Sequence, residues 1–167
     1  MGTHGVFRRA LKAAAAAPAT TTAGRRWLFV PYDQLSATVG PLSREDPKEL
    51  GIVLVESPGK AARRPYHQQK LALVLTNLRH FAIEQAARGV VVRHEVADSY
   101  AEALERIVPE IARRSGAGGP LRVMHPAERE LRAELEPLVA AKKLEVLPHE
   151  GWLTTREDFT SSQGEPP

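Results

Sequence analysis

Five short, nearly unbroken apolar runs punctuate this chain, and stretches with helical period separate the last four. The runs are Trp27-Leu28-Phe29-Val30, Ile52-Val53-Leu54-Val55, Val90-Val91-Val92, Leu121-Arg122-Val123-Met124 and Leu144-Glu145-Val146-Leu147. A strand exposed on one face would alternate apolar and polar residues. Continuous runs of this length indicate strands covered on both faces. Between the second and third runs, Leu71, Val74, Leu75, Leu78, Phe81, Ala82 and Gln85 recur at helical spacing, and Gly89 supplies a stop. A helix is expected there from Tyr66 to Arg88. A second is expected from Tyr100 to Arg114, capped by Asp98 or Ser99, with Pro109 inside it as a kink. Gly116 to Pro120 reads as a turn, and a third helix runs from Pro126 to Lys142. The connection from Leu35 to Gly51 has no clean helical period beyond a short helix near Pro47 to Leu50. The order is strand, loop, strand, then helix and strand three times over. That pattern predicts an α/β fold: a five-stranded parallel, doubly wound sheet with helices on both faces, Rossmann-like or flavodoxin-like.

A chain of 167 residues suits one domain. Residues 26–153 carry the α/β pattern, 1–25 read as a disordered leader, and 154–167 as a truncated or disordered tail. The formal net charge of +3 suggests nucleic acid until the charge is located. Residues 1–26 hold Arg8, Arg9, Lys12, Arg25 and Arg26 and no acid, leaving 18 basic against 20 acidic residues elsewhere. The folded part therefore exerts no net pull on phosphate. The arginine- and alanine-rich start resembles a transit peptide, or is a plain disordered extension. Thr154 with Glu157, or Thr155 with Asp158, reads as a capping box for one more helix. No apolar run approaches the roughly 20 residues of a membrane span, so a cytoplasmic location without membrane contact is expected. Cysteine is absent, which excludes disulfides and cysteine-held zinc or iron–sulfur clusters within these residues.

In parallel sheets ligands bind beyond the carboxyl ends of the strands. Asp33 and Gln34 follow the first strand, Glu56 closes the second, His94 follows the third, His125 the fourth, and His149 and Glu150 the fifth. Such a rim suits a polar, planar ligand, although strand ends also carry polar residues because they meet water. The first strand leads into Pro31-Tyr32-Asp33-Gln34 rather than a glycine-rich turn, and a bulky tyrosine there opposes a pyrophosphate. His67 and His80 lie 13 apart on one helix and face nearly opposite ways, so no metal site is expected. His67 shares a face with Leu71, Val74 and Leu78, which suggests a core-edge histidine. No nucleophile is marked by its context, so no catalytic residue is assigned. Lys60 to Lys70 form a basic, tyrosine-containing lead-in to the long helix, suited to an anionic ligand or simply solvated.

Several short elements occur in a telling order: Asp33-Gln34-Leu35, Glu56, Tyr66-His67-Gln68-Gln69-Lys70, Leu78-Arg79-His80-Phe81-Ala82, and Leu153-Thr154-Thr155-Arg156-Glu157-Asp158-Phe159. Together they resemble the N-terminal domain of the deoxyribodipyrimidine photolyase-related proteins, the iron–sulfur bacterial cryptochromes and prokaryotic (6-4) photolyases. The resemblance implies a light-driven DNA-repair flavoprotein of the cryptochrome/photolyase family. Its first domain holds an antenna chromophore of ribityllumazine type, with Asp33, Gln34, Leu35 and Glu56 as candidate contacts. Its helical second domain holds FAD, the DNA-binding face and a cysteine-ligated iron–sulfur cluster. Two positions depart from the family pattern. Tyr32 stands where a glycine is usual, and Glu130 replaces the arginine of a Pro-x-Glu-x-Arg element at Pro126. The FAD domain and its four cysteines are absent from this sequence, so no FAD, no cluster and no catalysis are expected of these residues alone. The resemblance leaves three expectations: a stand-alone antenna module, an interaction module on a separate FAD-binding partner or a second copy of itself, or a non-functional truncated remnant. DNA is expected to be met only through that partner.

Overall fold

The computed structural model describes residues 3–15, 24–63, 66–115, 119–151, 154 and 156–162. Five strands form one sheet: β1 (Arg26–Phe29), β2 (Leu50–Glu56), β3 (Val91–Val96), β4 (Leu121–Met124) and β5 (Leu144–Leu147). All pairings are parallel and the strand order is β3-β2-β1-β4-β5. The expected doubly wound α/β sheet is therefore present, in the Rossmann-like rather than the flavodoxin-like order. The helices are α1 (Thr3–Ala14), α2 (Pro41–Arg44), α3 (Pro58–Ala62), α4 (Gln68–Ala87), α5 (Tyr100–Ser115), α6 (Arg129–Ala140) and α7 (Arg156–Ser162), with a 3-10 turn at Pro47–Glu49. The short helices after β1 and β2 and the 3-10 turn all begin at a proline, whose missing N–H costs nothing at a first helical position.

Period-two alternation within each buried strand divides the core in two. Trp27, Phe29, Val53 and Val55 face one side, where Leu104, Ile107, Leu131 and Leu135 of α5 and α6 cover them. Leu28, Val30, Ile52 and Leu54 face the other, under Leu78, Phe81 and Ala82 of α4 and Phe7 of α1. All seven residues of β2 are buried, which is why its sequence reads as an apolar run. Gly51 pairs with Trp27 across β1 and β2, and a Cβ there would lie 2.7 Å from the indole ring. Only glycine leaves room for that side chain. Ser99 caps α5 by accepting from the Glu102 backbone N–H (3.1 Å), as the sequence suggests, and Glu134 of α6 adds two more acceptor contacts to the same helix start.

Two readings need correction. Within the supposed leader, Thr3–Ala14 form α1, which packs on α4 and buries Phe7. Weakly apolar alanines hid the stripe that Phe7 and Leu11 make. Residues 16–23 of that segment lie outside the described residues. The further helix expected after Thr154 or Thr155 is α7 (Arg156–Ser162); Thr155 and 163–167 lie outside the described residues, as do 116–118 of the expected turn. His67 is an exposed N-cap of α4, its Nδ1 accepting from the Gln69 N–H at 3.2 Å, rather than a core-edge residue. Among the described residues, no helix is long and apolar enough to cross a membrane.

Candidate functional site

The chain leaves β1 toward β2 on one side, and leaves β4 toward β5 on the other. The crevice between the carboxyl ends of β1 and β4 is thus the topological switch point, where open α/β sheets hold ligands. Gln34 is buried and stitches this crevice, its Nε2 donating to the carbonyls of Met124 (3.1 Å) and His125 (3.4 Å). Tyr32 and Glu128 meet above it, the phenol donating to Oε2 at 3.5 Å. Lys60 of α3 ion-pairs with the same carboxylate. Its ammonium sits 5.3 Å from the Tyr32 ring centroid and 5.1 Å from that of Tyr100, a cation–π geometry. Ser57 holds α3 in place: its Oγ accepts from the Lys60 N–H (3.1 Å) and donates to the Asp98 carbonyl (2.8 Å).

Tyr32, Ser57, Lys60, Tyr100 and Glu128 wall an inner recess of about 310 Å³ at the tips of β1 and β2. Its far side is the apolar stripe Leu71, Val74, Leu75 and Leu78 of α4, and Tyr66 and Lys70 stand at its mouth. An apolar wall, tyrosines and two ammonium groups suit a flat heteroaromatic ring with carbonyl or anionic edges. An outer cleft of about 400 Å³ adjoins it, lined by Asp33, Leu35, Asn77, His80 and Glu84. Desolvation pushes the Tyr32 phenol up to about 12, with the charges of Glu128 and Asp33 adding to it, so it stays a hydrogen-bond donor. Tyr100 shifts the same way, again chiefly by burial. The Asp33 carboxyl also rises, through desolvation first and then Glu128, against its own backbone hydrogen bond, Lys60 and His149.

The four residues singled out from the sequence do not share one recess. Asp33 and Leu35 line the outer cleft, Glu56 lines the inner one, and the Gln34 amide is turned to β4. Glu56 is 5% exposed, and its carboxylate is held by Arg79 and His94. His94 lies within β3 rather than beyond it, with its ring edge-on to Phe7 at 4.9 Å. His125 is exposed, and Glu150 ion-pairs with Arg44. Sequence reading passed over Tyr100 because only the residues directly after each strand were considered. A tyrosine in the first turn of the following helix is the signal that finds it.

A family model for deoxyribodipyrimidine photo-lyase-related proteins matches residues 28–165. The chain belongs to this family. A (6-4) photolyase of Agrobacterium fabrum is 31% identical over 137 residues, which is 80% of this chain and 25% of that relative. This photolyase-related chain therefore spans about a quarter of the length of the curated relative it matches. The match runs from within β1 past β5 and so contains both recesses, the Lys60–Glu128 pair and all of the sheet except the first two residues of β1.

Proposed function

We propose that this chain is the antenna-chromophore-binding part of a cryptochrome/photolyase-family flavoprotein, with the inner recess receiving a ribityllumazine-type ring. The observation that carries the reading is that recess: an apolar helix stripe faces Tyr32 and Tyr100 beyond the carboxyl ends of the strands, inside a photolyase-related domain. When bound, the chromophore absorbs light and passes excitation to a flavin. Lys60 and Lys70 offer donors to ring carbonyls, Ser57 and Glu128 offer acceptors, Tyr32 and Tyr100 offer aromatic faces, and Leu71, Val74, Leu75 and Leu78 exclude water from one ring face. FAD, the iron–sulfur cluster and lesion repair belong, in this reading, to a helical portion beyond these residues, through which DNA is met. Titrating the protein with 6,7-dimethyl-8-ribityllumazine should shift the absorbance and quench the free-dye fluorescence, with a Kd no weaker than tens of micromolar. No change at that concentration removes the antenna role.

A second reading, an interaction module, has its own support. No residue of α4 before Leu78 is buried, and Leu73 is 61% exposed. An apolar flank of this kind docks a flavin-binding partner, or less specifically a second copy of the chain. Sedimentation of the chain alone, and mixed with the remaining portion of the Agrobacterium relative, measures this. Monomer alone in the first run and two separately sedimenting monomers in the second, at micromolar concentration, reject the docking role.

A further inference from the structure

Tyr32 is the one residue shared by the linings of the inner recess and the outer cleft. Both spaces lie along α4. Leu71, Val74, Leu75 and Leu78 wall the inner one, and Asn77, His80, Phe81 and Glu84 the outer one. The two sets start six residues apart, about 9 Å along a helix, and they interleave at Asn77 and Leu78. At 100° per residue the two sets face about 120° apart around α4, so the spaces flank different sides of the helix, and the Tyr32 ring is where their linings meet. That ring is held on several sides. It packs against the core layer under α5 and α6, its hydroxyl donates to Glu128, and the Lys60 ammonium lies over it. The chemistry changes across it as well. The inner side is apolar and aromatic apart from Glu56, which Arg79 and His94 hold, and Ser57, Lys60, Lys70 and Glu128, which are assigned above to the ring edges, whereas the outer side offers Asp33, Asn77, His80 and Glu84, groups that bind hydroxyls.

We propose that Tyr32 is a specificity-determining partition: it confines a guest ring to the inner recess and bars any polyhydroxylated tail on that ring from the outer cleft. The proposal rests on the chromophore reading above, and it concerns which member of that ligand class the chain prefers. With the ring in place, a lumazine gains nothing from a ribityl chain at N8, because the tail has no route to Asp33 and His80. With the ring removed, the two spaces join through the gap it leaves at the tip of β1, and the tail exchanges water for those side chains.

The test uses two dyes that differ only at N8, 6,7,8-trimethyllumazine and 6,7-dimethyl-8-ribityllumazine, titrated into the unaltered chain and into Tyr32→Ala and Tyr32→Phe. Tyr32→Leu, which retains apolar bulk against the core, replaces the alanine variant if that one fails to fold by circular dichroism. The unaltered chain should bind the two dyes within about threefold of each other, and Tyr32→Ala should favour the ribityl dye by roughly tenfold or more. Tyr32→Phe should keep the original ratio, because it keeps the ring and loses only the hydroxyl. An unchanged ratio in Tyr32→Ala overturns the partition and leaves the chromophore reading standing. Failure of every chain to bind either dye overturns the chromophore reading, and the partition with it.

Discussion

Replacing Glu56 with alanine should lower the free energy of unfolding by about 3–5 kcal/mol. The carboxylate ends β2, is 5% exposed, and accepts from Arg79 Nε at 2.6 Å and Arg79 Nη2 at 2.7 Å, a bidentate pair. His94 Nε2 lies 2.9 Å from Oε1. Phe7 of α1 covers the group, edge-on to His94 and 5.6 Å from the Arg79 guanidinium. Without the carboxylate, a guanidinium already drawn out of water loses its counter-ion, and the cost is that of a stranded charge rather than of one contact.

The same cluster sets an acid limit on stability. Burial alone would raise the Glu56 carboxyl, but the hydrogen bonds from His94 and Arg79 outweigh it and hold the group at about 2, against an ordinary value of 4.5. A pKa depressed in the folded state contributes stability that is complete above the unfolded value. That contribution is lost as pH falls from 4.5 toward about 2, and amounts to about 3 kcal/mol. Urea unfolding at neutral pH and at pH near 3 should show a smaller acid loss in Glu56→Gln than in the unaltered protein. Equal losses would mean that Glu56 is not the linked group.

Phe29→Ala should cost about 3–5 kcal/mol as well, for a different reason. Phe29 is fully buried in the central strand, and its ring lies 5.8 Å from that of Tyr100 at 51°. The alanine leaves a cavity between β1 and α5 that the close-packed layer of Leu104, Ile107 and Leu131 cannot fill. Tyr100 also lines the inner recess, so the vacated space lets that wall move, and lumazine binding should weaken in parallel. Leu73→Ala is the comparison: at 61% exposure it should shift the urea midpoint by no more than about 0.5 kcal/mol equivalent. A Phe29→Ala midpoint as high as that of Leu73→Ala would contradict the core described above.

Parts of the site were legible residue by residue. The rim position of Asp33, Gln34 and Glu56 follows from strands ending at Phe29 and Glu56, and the obstruction at Tyr32 follows from its size. The use of these side chains did not follow. Glu56 looks like a free rim acid until Arg79, 23 residues on, and His94, 38 residues on, are brought to it. Glu128 meets Lys60 across 68 positions and Tyr32 across 96. Phe7 looks like part of a featureless leader until α4 supplies the surface that buries it.

Local order came from the sequence. A strand or helix is selected by the spacing of apolar residues over a few positions, and that spacing is written in consecutive letters, so five parallel strands and three long helices could be read off directly. The sequence of strands across the sheet, the stitching of the switch point by Gln34, the pairing of Glu56 and the sharing of Tyr32 by two cavities were decided only in three dimensions. Each depends on the direction in which a side chain leaves a packed layer and on partners tens of residues away, and no local period encodes either.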